Sequence, residues 1–289
     1  MCAFFASLLF PQFQAAFAPR VSIRNRQPEN TLTPFSGRLM KHPNPNISLT
    51  LYTLLMLLIP IGFWATGYTW TLAQSSQTPE LNRALILLTE TGGSQPYAIG
   101  FAIVFTLILA YFVRKQYRPL TVIAVCICAV VGTQAIKTGA KTLFQEPRPY
   151  VVQLAQQQHI TPAGFYAMKK PQKRALIAQT AHTPDEQILA DYQQSELGYS
   201  FPSGHTTFSV AWLLLVVGFT QNWRNPARLI ARVLVAAWAA GVLYSRVKLG
   251  AHFPVDLFAA TLMVWVCHLA LFRYILPYWH NRFGLPKHA

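Results

Sequence analysis

Three short polar clusters carry the residues of this chain that could do chemistry. Lys141 is followed at Arg148-Pro149 by an arginine. Pro202-Ser203-Gly204-His205 opens a long apolar run. Ser245-Arg246 is followed by His252 and then by Asp256. These are the residue types that phosphoryl transfer requires. Its transition state spreads charge over three equatorial oxygens, so catalysis is mostly positioning and electrostatics. Lys141, Arg148 and Arg246 supply a cationic clamp that works without a metal. An arginine fork can bind two phosphate oxygens at once. Ser203 offers a hydroxyl. Gly204 lets backbone approach closely at a helix start, where free N–H groups suit an anion.

Two histidines complete the set. A nucleophilic imidazole needs an acceptor on its other nitrogen to fix the tautomer. Asp256, four residues after His252, is placed to provide it if both share a helical face. His252 is therefore the expected nucleophile. His205 has no carboxylate at such a spacing and suits protonation of the leaving alkoxide. A lone histidine or arginine at the end of an apolar run is ordinary. The reading rests on the ordered spacing of all three clusters and on their falling on one side.

The elements that must position them are long apolar runs. Of 289 residues, 53% are hydrophobic and 11% charged, well below the roughly 25% charged of soluble domains. Six runs stand out, at about 48–70, 96–113, 120–139, 206–221, 229–245 and 255–275. The expected fold is all-α: a polytopic membrane helix bundle of about six transmembrane helices. A periplasmic helical insert, about 140–204, separates spans three and four.

The net charge of +15, from 24 Lys+Arg against 9 Asp+Glu, points to membrane topology and away from nucleic acid, because the basic residues lie between the apolar runs. Arg114, Lys115 and Arg118 follow span two; Arg224 and Arg228 follow span four. These put the N- and C-termini in the cytoplasm and all three clusters outside. The alternate loops hold every acid except Glu29, and the acids are too few for a carboxylate-rich metal centre. Cys126, Cys128 and Cys267 sit in apolar runs and Cys2 in the tail, so neither a disulfide nor a zinc site is expected.

Residues 1–46 form an extension without a sustained period, and 47–289 the catalytic domain. The first 39 residues lack a targeting pattern, a span or a motif residue. A chain starting at Met40 is expected to insert and work normally. The outer segment is expected to carry an amphipathic helix around Ala163–Ala181. Its basic cluster, Lys169, Lys170, Lys173 and Arg174, reads either as a solvated face or as a landing surface for anionic headgroups.

Lys-x6-Arg-Pro, Pro-Ser-Gly-His and Ser-Arg-x5-His-x3-Asp together resemble the three signature motifs of the type 2 phosphatidic acid phosphatase superfamily, over roughly residues 48–275. The resemblance implies a metal-independent, cofactor-free lipid phosphatase with a phosphohistidine intermediate. It makes His252 the nucleophile, Asp256 its partner and His205 the general acid, with Lys141, Arg148, Ser203, Gly204 and Arg246 holding the phosphoryl group. The strings Thr89-Glu90-Thr91, Gln145-Glu146-Pro147-Arg148-Pro149 and Phe165-Tyr166 are similar to those of the bacterial branch that hydrolyses phosphatidylglycerophosphate. That branch implies an inner-membrane location with a periplasmic site. It implies action also on undecaprenyl pyrophosphate, phosphatidate, lysophosphatidate and diacylglycerol pyrophosphate. The alternatives are a dedicated undecaprenyl-pyrophosphate phosphatase and, from a different class, a lipid-binding or transport protein that has kept the motifs. The expected partners are the lipid substrate and membrane lipids; the oligomeric state is not encoded in any recognisable pattern.

Overall fold

The computed structural model describes residues 45–93, 97–221 and 226–283. All of them fall in one compact unit, Pro43–Ala289. The expectations for the tail and for Arg224 lie outside the described residues. Among the described residues every regular element is helical.

The long helices are α1 (Pro45–Ala65), α4 (Tyr97–Phe112), α5 (Pro119–Phe144), α10 (Gly204–Phe219), α11 (Ala227–Lys248) and α12 (Pro254–Ala270). Each coincides with one of the six apolar runs. Four segments are long and apolar enough to cross a membrane: those beginning at Asn46, Pro119, Ala227 and Pro254. Helices α4 and α10 have 16 residues each. At 1.5 Å per residue each spans about 24 Å, short of a hydrocarbon core of about 30 Å. The outward faces of α1, α4, α5 and α11 expose Leu51, Leu58, Ile103, Leu107, Ile127 and Leu234, surface that suits lipid and not water.

Helix α10 is the axis of the bundle. Fifteen of its 16 residues are buried, and it packs against α1, α5, α11 and α12. Its stretch from Val210 to Phe219, apolar on every face, belongs in such a place. Phe272, in a π-helical turn at Leu271–Ile275, lies so close to Gly218 of α10 that a Cβ there would meet its ring at 2.1 Å. Since the helices alternate in direction, the end of α5, the start of α10, the end of α11 and the start of α12 meet at one end of the bundle. The opposite end gathers Arg118, Thr220 and Arg232, the last bonded through Nε to Thr220 Oγ1 at 2.9 Å.

Over the first end lies a cap of short helices: α2 (Leu72–Ser76), α3 (Pro79–Glu90), α6 (Pro149–Gln157), α7 (Pro162–Ala167), α8 (Lys170–Ala178) and α9 (Pro184–Ser195). A small core of its own, Tyr150, Val151, Leu154, Phe165, Ile177 and Ala190, holds α6 to α9 together. Pro in the first turn of α3 and α6 to α9 sets each start, where its missing N–H has no helical partner to lose. The single helix expected over Ala163–Ala181 is two helices, broken at Met168 and Lys169. Both residues are extended (ψ 153° and 151°); in a continuous helix Pro171 would have no N–H for the Ala167 carbonyl and its ring would clash with it. A final helix, α13 (Leu276–Phe283), follows the π-helical turn.

Candidate active site

Each motif residue is delivered by a helix end. Helix α5 stops one turn after Lys141 because Gln145 turns left-handed (φ 50°), its N–H bonding the Lys141 carbonyl. Two residues later Pro147 restricts the short extended segment that carries Arg148. Helix α11 stops after Arg246, where Gly250 takes φ +68°. A side chain there would also meet the Trp70 ring at 2.5 Å, so glycine is required twice over. Helix α10 is capped by Ser203, whose hydroxyl accepts from the Thr206 N–H.

Backbone bonds tie the three clusters into one unit. The N–H of His252 reaches the Arg246 carbonyl at 3.1 Å, and that of Ser203 the Asp256 carbonyl at 3.4 Å. Ser200 N–H bonds the Glu146 carbonyl at 2.8 Å.

His252 and Asp256 meet as expected, but for a different reason. His252 precedes α12 and shares no helical face with Asp256. Asp256 instead occupies the third position of the helix and folds back, its Oδ2 accepting from the Phe253 N–H at 2.9 Å. The same oxygen lies 3.2 Å from His252 Nδ1 and accepts the Ser200 hydroxyl. An ionised carboxylate only accepts, so the imidazole proton sits on Nδ1 and the Nε2 lone pair is free. Both side chains are essentially fully buried. Burial, with Arg148, Arg246, Lys141 and His205 nearby, pushes the His252 pKa well below the usual imidazole range. The ring is therefore neutral, as a nucleophile must be.

The clamp residues converge on an acid that the sequence reading missed. Glu196, just past α9, pairs with Arg148 Nη2 through Oε2 at 2.7 Å and with Arg246 Nη2 through Oε1 at 2.8 Å. Its Oε1 lies 3.7 Å from His205 Nε2. Burial works to raise the Glu196 pKa, but the Arg246 and Arg148 guanidiniums, with His205, hold it well below the usual carboxylate range. Arg148 also donates to the Gly198 and Ala251 carbonyls at 2.7 and 3.1 Å. Arg246 donates to Thr89 Oγ1 at 3.0 Å and to the Tyr192 hydroxyl. Lys141 Nζ donates to the Tyr199 carbonyl at 2.5 Å.

A cavity of about 660 Å³ joins these groups. Lys137, Lys141, Arg148, Glu196, Gly204, His205 and His252 line its polar end. Asp256, Ser203 and Arg246 sit behind that lining, each with 0% exposure. The Ser203 hydroxyl is occupied by the α10 cap and by Thr206 Oγ1 at 3.0 Å. The cavity continues between α4 and α5 along Ile99, Ile103, Leu107, Ile127 and Val131. Those five are exposed on the bundle surface, while Leu109, Ala110, Val122 and Val125 further along the two helices are buried. Lys137 sits one turn before Lys141 in an otherwise apolar run, a signal the sequence did contain. Ser200 and Glu196 gave no comparable signal.

His205 is held by a close approach. A Cβ on Gly93 would lie 2.6 Å from His205 Cδ2 and 2.9 Å from Nε2. Gly93→Ala is expected to push the ring aside and lower kcat/KM by about 10- to 100-fold, the scale of a misplacement near 1 Å. Steady-state rates together with labelling of His252 would check it: turnover should fall while labelling persists.

The chain is similar to known proteins over most of its length. The model of the PAP2 superfamily matches residues 120–279. A phosphatidylglycerophosphatase B of Haemophilus influenzae is 42% identical over 233 residues, 78% of this chain and 95% of its own length. The phosphatidylglycerophosphatase B of Escherichia coli K12 is 33% identical over 216 residues, 73% and 82% respectively.

Proposed function

Because the chain belongs to the PAP2 superfamily, we propose that it is a membrane lipid phosphatase that converts phosphatidylglycerophosphate to phosphatidylglycerol and phosphate. The observation that carries this is the continuity of the cationic, histidine-bearing end of the cavity with the apolar cleft between α4 and α5. A phosphate monoester can sit at Arg148, Arg246 and Lys141 while acyl chains lie along Ile99, Ile103 and Ile127. The volume is in the range of small-ligand sites. The names of the two relatives point to the same lipid.

His252 Nε2 attacks phosphorus and the ester P–O bond breaks. The leaving alkoxide takes a proton from His205, giving the alcohol and a phosphohistidine. His205 then accepts a proton from water, the hydroxide attacks phosphorus, and the P–N bond breaks to release inorganic phosphate. Asp256 and Ser200 hold the His252 tautomer throughout. Undecaprenyl pyrophosphate, phosphatidate, lysophosphatidate and diacylglycerol pyrophosphate present the same terminal phosphate on an apolar tail and are further substrates. A panel of these lipids in detergent, with phosphate release as the readout, tests the reading. Phosphatidylglycerophosphate should turn over fastest; release from none of them would overturn it.

The charge neutralisation here comes from lysine and arginine. Chelation is therefore expected to leave the rate unchanged, and vanadate to inhibit. Loss of activity in EDTA that added magnesium restores would contradict this.

The proposed topology has six spans, with α4 and α10 crossing as short helices shielded by their neighbours, and the site facing the periplasm. The basic ends at Arg114 to Arg118 and Arg228 stay inside. Single cysteines at Gln179 and at Lys115, in a background without native cysteines, check it. An impermeant thiol reagent on intact spheroplasts should label position 179 and spare position 115; the reverse places the site in the cytoplasm.

A further inference from the structure

Glu196 belongs to none of the three motifs, yet it holds the position an incoming phosphate needs. The clamp arginines have committed most of their donors to the protein. Arg148 spends Nε and Nη1 on carbonyls, which leaves Nη2. Arg246 spends Nη1 on Thr89 and Tyr192, which leaves Nη2 and a buried Nε without a partner. The two Nη2 groups are the ones that Glu196 occupies, one carboxylate oxygen on each. His205 Nε2, also buried and without a hydrogen bond, faces the same carboxylate.

Two anions cannot share this seat: a phosphate placed between the Nη2 groups would meet the carboxylate at contact distance. Nor does the seat stand comfortably empty, because Lys137, Lys141 and Arg148 would then share one cavity, with Arg246 buried behind them, without a counter-charge. The Glu196 backbone is fixed. Its N–H bonds the Gln193 carbonyl at 3.0 Å and its own carbonyl accepts the Tyr150 hydroxyl at 3.0 Å. The side chain lines the cavity, which gives its carboxylate room to swing aside once the two ion pairs are broken.

We propose that Glu196 is an internal surrogate for the phosphate. It holds the two arginines in the empty enzyme, rotates away when the substrate phosphoryl group arrives, and returns to expel inorganic phosphate after hydrolysis. The benefit is in turnover. A seat built from several buried cations would release its anionic product slowly, and a tethered carboxylate competes with that product at every cycle. This inference rests on the clamp being the phosphate seat.

The test compares the full-length enzyme with Glu196→Gln and Glu196→Asp in detergent. Inorganic phosphate and vanadate serve as inhibitors and a soluble aryl phosphate as substrate. Glu196→Gln removes the competing charge and Glu196→Asp withdraws it by one methylene. Both variants should bind phosphate more tightly, the glutamine variant by about tenfold or more. Its kcat should fall, with a first-turnover burst as phosphate release becomes slow. Melting gives a second readout: Glu196→Gln should melt lower than wild type without phosphate and regain more of that loss than wild type when phosphate is added. Unchanged or weaker phosphate inhibition in both variants, or a melting loss that phosphate does not restore, would overturn the proposal. If phosphate and vanadate failed to inhibit the wild type, the clamp reading itself would fall, and this one with it.

Discussion

His252→Ala should abolish turnover, by on the order of 10⁵-fold or more, the scale seen when a covalent nucleophile is removed. Nothing nearby can substitute. His205 has its ring wedged against Gly93, and its nearest carboxylate, Glu196, stands 3.7 Å from Nε2, beyond hydrogen-bond reach. Ser200 already donates to Asp256. His205→Ala should behave differently. Attack by His252 does not strictly require protonation of a good leaving group, so an aryl phosphate should still label His252. Steady-state turnover should drop by about 10²- to 10⁴-fold, because the same residue also activates water for the second step. Acid quench and detection of phosphohistidine separate the two variants. Wild-type activity in His252→Ala, or label on another residue, would overturn the assignment.

Arg246→Ala carries the second largest effect and acts on two quantities. Removing one charged donor from the clamp should lower kcat/KM by about 10³-fold, the upper end for loss of a single transition-state donor. It should also destabilise the fold by about 3–5 kcal/mol, as breaking a buried pair does. The side chain is 0% exposed. Its loss strips partners from Thr89, Tyr192 and Glu196 together. Arg246→Lys keeps the charge but not the fork. It should recover part of the stability and little of the rate. Activity within tenfold of wild type in Arg246→Ala would remove this residue from the proposed site.

What the sequence made legible follows from what is local. The six apolar runs became helices because hydropathy along the chain acts over one helix at a time. The three motifs met at one end of the bundle because alternating direction leaves no other arrangement. The pairing of His252 with Asp256 was legible, yet through the wrong geometry: the spacing of four suggested a shared face, and a helix-start fold-back delivers the contact. Lys137 was readable as a lone cation in an apolar run. Glu196 was not, because nothing in Gln193-Gln194-Ser195-Glu196 distinguishes it from a solvated helix end. Its role exists only once α9 is laid over the clamp by packing of Tyr192 and Leu189. The break in the outer helix was legible in Pro171.

The burial of α10 bears on how the chain is made. Of the helices that enclose it, α1 and α5 precede it in the chain and α11 and α12 follow. Synthesis proceeds from the N-terminus, so α10 is delivered before half of its casing exists. On the proposed six-span topology, the side of α10 that α11 and α12 later cover faces acyl chains during that interval. On that topology its uninterrupted stretch from Val210 to Phe219 serves biogenesis as well as the finished bundle. A polar residue that the completed interior could accommodate would still be exposed to lipid at that earlier stage.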